Sequence, residues 1–168
     1  MQRLVPFARR ACFPLALGAL GALGACHHKD VMSPAELERM HDQCANSLAN
    51  GTMKLHPTSQ VGFAPEKPPG TPVVIYGASW CGACDDAAEY MTMQHIPFVE
   101  RDIDDSAVEA EAERALAAAS LPPTLHSLPV VDVRGTVTIG FIPCVIEAAW
   151  RGGRDAAPTS SRTATIHP

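Results

Sequence analysis

Two cysteines separated by two residues, Cys81-Gly82-Ala83-Cys84, stand between a short β-branched run and a stretch of helical periodicity, and this junction constrains the fold more than any other segment. Val73-Val74-Ile75-Tyr76, closed by Gly77, reads as a strand buried on both faces. Ala87, Ala88, Met91 and His95 then fall at spacings compatible with a helix. A strand that runs through a cysteine pair into a helix puts Cys81 where unpaired backbone N–H groups and the positive helix end favour a thiolate. The thiolate is the attacking species in thiol–disulfide exchange. Cys84, one turn along, is placed to attack a mixed disulfide at Cys81. The pattern therefore predicts Cys81 as nucleophile and Cys84 as resolving cysteine. Three other uses of such a pair compete: half a zinc site, a structural disulfide, or two buried apolar thiols. A ribbon-type zinc site needs a second Cys-x-x-Cys or a Cys/His pair, and the chain offers only isolated Cys44 and Cys144 and scattered histidines.

The rest of the chain builds an alternating pattern around this junction. Ser33-Pro34-Ala35-Glu36 combines an N-cap, a proline at the first helical position and a capping-box glutamate. With Leu37, Met40, Cys44 and Leu48 on one stripe, a helix is expected over about 34–49. Between Thr52 and Pro72 lie five prolines, which predicts a semi-extended connector and no element. Ile96 to Ile103 reads as a strand, and Ser106-Ala107-Val108-Glu109 as a capping box opening an Ala/Glu-rich helix to Ser120. Leu128–Val133 and Thr136–Ile139, joined at Arg134-Gly135, read as a hairpin, and a last helix is expected from Pro143 to about Trp150. The order is β-α-β-α-β-β-α, an α/β class, preceded by one N-terminal helix.

The N-terminus reads as an address. Arg3, Arg9 and Arg10 precede an apolar run from Ala11 to Ala25, and the run is followed at once by Cys26-His27-His28-Lys29-Asp30. Fifteen residues make roughly 22 Å of helix, short of the roughly 30 Å hydrocarbon core of a bilayer, so a transmembrane span is the poorer reading. Leu23-Gly24-Ala25-Cys26 resembles the bacterial lipobox, which implies cleavage before Cys26 and acylation of that residue. The expected organisation is a signal peptide over 1–25, a lipid-anchored segment over 26–72, a redox domain over 73–151 and a disordered tail over 152–168. Such a protein would be anchored to a membrane in the cell envelope, facing the periplasm, where disulfides form and persist. The formal net charge of −5, with no basic run after the N-terminus, argues against a nucleic-acid partner.

VVIYGASWCGAC, IPFVERDID, SLPVVDVRG and IGFIPCVIEAAW, in that order over residues 73 to 150, resemble the glutaredoxin branch of the thioredoxin-fold superfamily. The resemblance implies a thioredoxin-like fold with a four-stranded mixed sheet and flanking helices. It implies a protein-disulfide oxidoreductase that needs no cofactor and no metal, acting on protein thiols and disulfides. It also implies that Pro129 is a cis proline whose loop faces the cysteines, with Leu128, Val130 and Trp80 completing a substrate-binding surface. Gly140-Phe141-Ile142-Pro143 is similar to the turn of the small glutaredoxin-like redoxins that feed ribonucleotide reductase. The chain departs from glutathione-using members at three places. Asp85 and Asp86 stand where basic residues are common, Ser127-Leu128 precedes the proline, and Gly140-Phe141 replaces a glycine pair. These departures argue against glutathione as a partner, and the two acids work against a strongly acidic Cys81.

Cys44 and Cys144 admit three readings: a disulfide docking the N-terminal helix onto the domain, two buried apolar thiols, or Cys144 as a redox relay. The histidines, among them His41, His95 and His126, are expected at the surface or in loops, with His27-His28 the one pair suited to a metal. Met91 is expected in the core, and the acid-rich stretch 102–113 as a solvated helix face. The competing function class is a metal-binding module holding copper, zinc or an iron–sulfur cluster through Cys81 and Cys84 without turnover.

Overall fold

A computed structural model describes residues 31–123 and 127–152. Cys26, His27, His28, His126, the stretch 1–25 read as a signal peptide and the residues from 153 onward lie outside the described residues. Four helices and five strands follow in the order α1 (Pro34–Ala49), β1 (Gln60–Phe63), β2 (Val73–Gly77), α2 (Gly82–Met93), β3 (Phe98–Asp102), α3 (Ser106–Ala118), β4 (Val130–Val133), β5 (Thr136–Ile139) and α4 (Pro143–Gly152).

The sheet order is β1-β5-β4-β2-β3. β2 and β3 run parallel, with Val73 opposite Phe98 and Gly77 opposite Asp102. β4 lies antiparallel to β2 on its other side, and β5 returns antiparallel to β4. Arg134 and Gly135, both at positive φ (52° and 98°), make the tight turn of that hairpin. This is a thioredoxin-like α/β arrangement.

The fifth strand corrects the expectation of four. β1 pairs antiparallel with β5, Gln60 opposite Ile139 through Phe63 opposite Thr136, inside the segment read as a featureless connector. Val61 and Gly62 are buried. A Cβ on Gly62 would lie 2.4 Å from the Ala119 carbonyl oxygen, so only glycine lets this strand approach the end of α3. The chain then stays bound to the hairpin: Ala64 N–H donates to Gly135 O (2.7 Å), and Lys67 Nζ meets the buried Asp132 carboxylate at 2.7 Å. Four strand residues among prolines carry too little pattern to be read as an element, and the partner strand lies more than seventy residues away in sequence.

Strand alternation divides the core. Val73, Ile75, Val131 and Val133 pack with Leu37, Ala87, Tyr90, Met91, Ile146 and Ala149, so α1, α2 and α4 share one face. Tyr76, Val130, Val137 and Ile139 pack with Val108, Ala112 and Leu116 of α3 on the other. Met91 is fully buried, as its helical spacing indicated.

Local boundaries follow capping chemistry. Ser33 N–H donates to Glu36 Oε2 (2.8 Å), closing the box that opens α1. At α3 the cap is Asp105, whose side chain accepts from Ala107 N–H (2.8 Å), so Ser106 is the first helical residue and not the cap. Nor is 102–113 simply a solvated face: Glu111 pairs with Arg101 (2.6 Å) and accepts from Tyr76 Oη (3.1 Å). His41 also departs from expectation. It sits half-buried on α1, its Nε2 against the Glu147 carboxylate of α4, with its ring 5.9 Å from that of Tyr90. A disulfide joins Cys44 of α1 to Cys144 of α4, with Cα atoms 5.6 Å apart.

Candidate active site

Cys81 is the N-cap of α2, in extended conformation, where the helix leaves its first amides without intrahelical partners. Cys84 N–H donates to Cys81 Sγ at 3.2 Å, and Asp85 N–H donates to Cys81 O at 3.3 Å. The pair is joined as a disulfide with Cα atoms 5.3 Å apart, and both residues are nearly buried, Cys81 at 7% and Cys84 at 4% exposure. Sequence spacing put the two sulfurs within one helical turn, and the structure brings them together.

The preceding loop explains how the sulfurs fit. Gly77 ends β2 against Cys84, and a Cβ there would lie 2.7 Å from Cys84 Sγ. Gly77 thus makes room for Cys84 Sγ, a contact that its place at a strand end did not signal. Trp80 is 64% exposed beside the buried pair, a large apolar surface next to Cys81.

Two further loops converge on this end of the sheet. Ile103 N–H donates to Gly77 O (2.9 Å), which ties the start of the β3–α3 loop to the end of β2. Tyr76 pairs with Val130, so the loop entering β4 emerges at the same end as Cys81. In that loop the Leu128–Pro129 peptide is cis. Pro129 O accepts from Gly140 N–H (2.8 Å), joining the loop to the turn before α4. Leu128 is half-buried. Val130 has no exposed surface, so its side chain belongs to the core and only its backbone borders the loop.

The two acids after the pair behave differently. Asp86 is 5% exposed, and its Oδ1 accepts the Met32 N–H at 2.7 Å. Burial raises its pKa above the ordinary carboxylate value. The Met32 hydrogen bond opposes the shift, and the charges of Asp85 and Glu36 add to it. The sequence carried no signal for this contact, because its partner lies 54 residues earlier. Asp85 is half-buried in the first turn of α2.

Among the described residues, no group of three or more His, Cys, Asp or Glu side chains is placed to hold a metal ion, and no helix is long and apolar enough to cross a membrane. The fold and the cysteine pair at the head of α2 define a thioredoxin-like protein with a candidate redox disulfide. Within it, residues 73–137 match the glutaredoxin family model, from β2 into β5. The chain is thus glutaredoxin-like over that stretch, and the match supports a thiol–disulfide redox function. No curated protein and no solved structure matches the chain.

Proposed function

We propose that the protein is a membrane-anchored, extracytoplasmic thiol–disulfide oxidoreductase in which Cys81 attacks and Cys84 resolves. The observation that carries this reading is the Cys81–Cys84 disulfide at the N-cap of α2, inside the glutaredoxin-matching stretch. In the reducing direction, Cys81 thiolate attacks one sulfur of a substrate disulfide and expels the other substrate sulfur as thiolate. Cys84 thiolate then attacks Cys81 Sγ and releases the second substrate thiol. Two electrons pass to the substrate, and the enzyme is left with the Cys81–Cys84 disulfide. The oxidising direction runs the same bonds in reverse. Trp80 and the Leu128–Pro129 loop supply the surface on which the substrate chain rests, with Val130 contributing backbone alone.

The anchored, periplasm-facing part of the proposal rests on the charged start, the short apolar run and the Leu23-Gly24-Ala25-Cys26 motif. The division into a signal segment, an anchored N-terminal part and a redox domain rests on the same reading. Partners are protein thiols and disulfides. The acids at 85 and 86 and the Phe141 turn argue against glutathione.

The deciding experiment uses Cys84→Ser in the full chain. The variant should accumulate mixed disulfides at Cys81 with envelope proteins, resolved by mass spectrometry, whereas Cys81→Ser should accumulate none. Equal trapping by both variants would overturn the assignment of roles. A reduction potential near the roughly −270 mV of thioredoxin would assign the reducing direction, and one near −120 mV the oxidising direction.

A further inference from the structure

The sequence divides the chain into an anchored segment over 26–72 and a domain beginning at residue 73. Were those 47 residues a tether, their contour length would let the domain roam up to about 160 Å from an anchor at Cys26. The structure removes most of that length. β1 is a strand of the sheet, and Ala64 and Lys67 are bonded to the hairpin. α1 buries Leu37 completely, is joined to α4 by the Cys44–Cys144 disulfide, and adds the His41–Glu147 side-chain contact. Even Met32 is held, its side chain packed at the edge of the core and its N–H on the buried Asp86 carboxylate. From Met32 onward the chain is bound to the domain at each of these points.

Met32 is also held close to the dithiol. Its partner Asp86 lies on α2 five residues after Cys81, about 8 Å along a helix. On the other side, six residue-to-residue steps lead from Cys26 to Met32 and can span at most about 22 Å. Adding the width of the Asp86 side chain and its hydrogen bond gives an upper limit of about 35 Å between an acylated Cys26 and the Cys81–Cys84 pair. The limit holds whichever way the domain turns about its anchor.

Resting on the anchored reading above, we infer that the Asp86–Met32 clamp makes this a short-tether enzyme. Its dithiol is confined to a layer next to the bilayer, and its partners are proteins that carry a disulfide or dithiol at that height. A membrane protein with cysteines near the headgroups fits this reach. A soluble protein is met only when it comes to the surface, and cysteines on a tall extramembrane domain lie beyond it.

The test reads the height of the site directly. The full lipidated chain carrying Trp150→Phe keeps Trp80, exposed next to Cys81, as its one tryptophan. It is placed in vesicles of phosphatidylethanolamine and phosphatidylglycerol that contain a headgroup-labelled energy acceptor. A second form carries in addition a Gly/Ser insert of about 20 residues after Lys29, which adds an average of roughly 25 Å without touching the folded part. Strong transfer from Trp80 in the first form, falling at least threefold in the second, is the expected result. Equal transfer in the two forms, with both floating on the vesicles, overturns the short tether and leaves the anchor standing. A chain that fails to float overturns the anchor, and the tether with it. Hydrogen exchange supplies an independent check, since the Met32 amide should be protected in the native chain and exposed in Asp86→Ala. An unprotected Met32 amide in the native chain overturns the clamp.

Discussion

Replacing Cys44 and Cys144 together by alanine removes a covalent link between residues 100 apart, and the size of that loop sets the expected loss. On the chain-entropy model, a loop of this length withdraws about 4.7 kcal/mol of freedom from the unfolded chain at 25 °C. Loss of the two sulfurs from the α1–α4 contact, where Cys144 is 3% exposed, adds a few tenths of a kcal/mol. A total near 5 kcal/mol is large beside the roughly 5–15 kcal/mol that holds a typical domain together. For a domain of roughly 120 residues it lowers Tm by about 15–20 °C. The double variant leaves Cys81 and Cys84 oxidised, so the measurement isolates one bond in a way that added reductant cannot. Urea unfolding of the oxidised forms gives the difference, and hydrogen exchange locates it. Amides of α1 should lose protection first, since without the link α1 is held by non-covalent contacts alone: Leu37 burial, worth about 2 kcal/mol, the part-buried packing of Met40, Ala45 and Leu48, the Met32–Asp86 hydrogen bond and the His41–Glu147 contact. A loss below about 1 kcal/mol, with α1 still protected, would refute the reasoning, because α1 would then be docked by packing alone.

Four further outcomes follow from single contacts. Gly77→Ala drives a methyl to within 2.7 Å of Cys84 Sγ, and should cost about 1–3 kcal/mol in stability and slow release of a trapped mixed disulfide; unchanged denaturation and unchanged resolution kinetics would count against it. Asp86 has a folded-state pKa above its ordinary value of 3.8, so the folded protein holds that proton more tightly than the unfolded chain and Asp86 opposes folding at neutral pH. That penalty fades as pH falls through the folded pKa toward 3.8. Asp86→Asn, which keeps an oxygen for the Met32 N–H, should match or exceed the native protein at pH 7 and gain less on acidification, and a variant clearly less stable at pH 7 would contradict this. Lys67→Met leaves the Asp132 carboxylate, 2% exposed, without its cationic partner while the Gly135 N–H still donates to it, and should cost about 1–3 kcal/mol by denaturant titration. In the reduced protein, Asp85→Asn should make the Cys81 thiolate form at lower pH by ultraviolet titration, since the acid in the first turn of α2 opposes the helix end; an unchanged titration would show that it does not.

What the sequence carried depended on how local the physics was. The Val73–Tyr76 run, the Cys81–Cys84 spacing and the Ser33 box are each written within a few residues, and β2, the head of α2 and the start of α1 stand where those signals put them. The glutaredoxin resemblance extended this to the Pro129 loop, which no periodicity marks. β1 escaped because its reason for existing is β5: Gln60 to Phe63 becomes a strand only where an edge is open to it and Gly62 admits the end of α3. His41 looked like a surface residue because Glu147 lies on another helix, and Asp86 looked like an ordinary first-turn acid because Met32 lies 54 residues before it.

These missed contacts share a direction. β1, Lys67, His41 and Asp86 each fasten the segment before residue 73 onto the domain that follows it. Local patterning sees a segment rich in proline and assigns it length and freedom. The long-range contacts turn the same residues into an extra strand, an extra helix and a fixed point beside the dithiol. The boundary at residue 73 therefore marks where the family resemblance begins, while the contacts that fasten the chain to the domain reach back at least forty residues further, to Met32. Any truncation chosen at the family boundary would remove Leu37 from the core and β1 from the edge of β5, and would free Asp86 from its partner. Activity lost by such a fragment would then report a damaged fold, so the roles of Cys81 and Cys84 should be assayed in a chain that retains Met32.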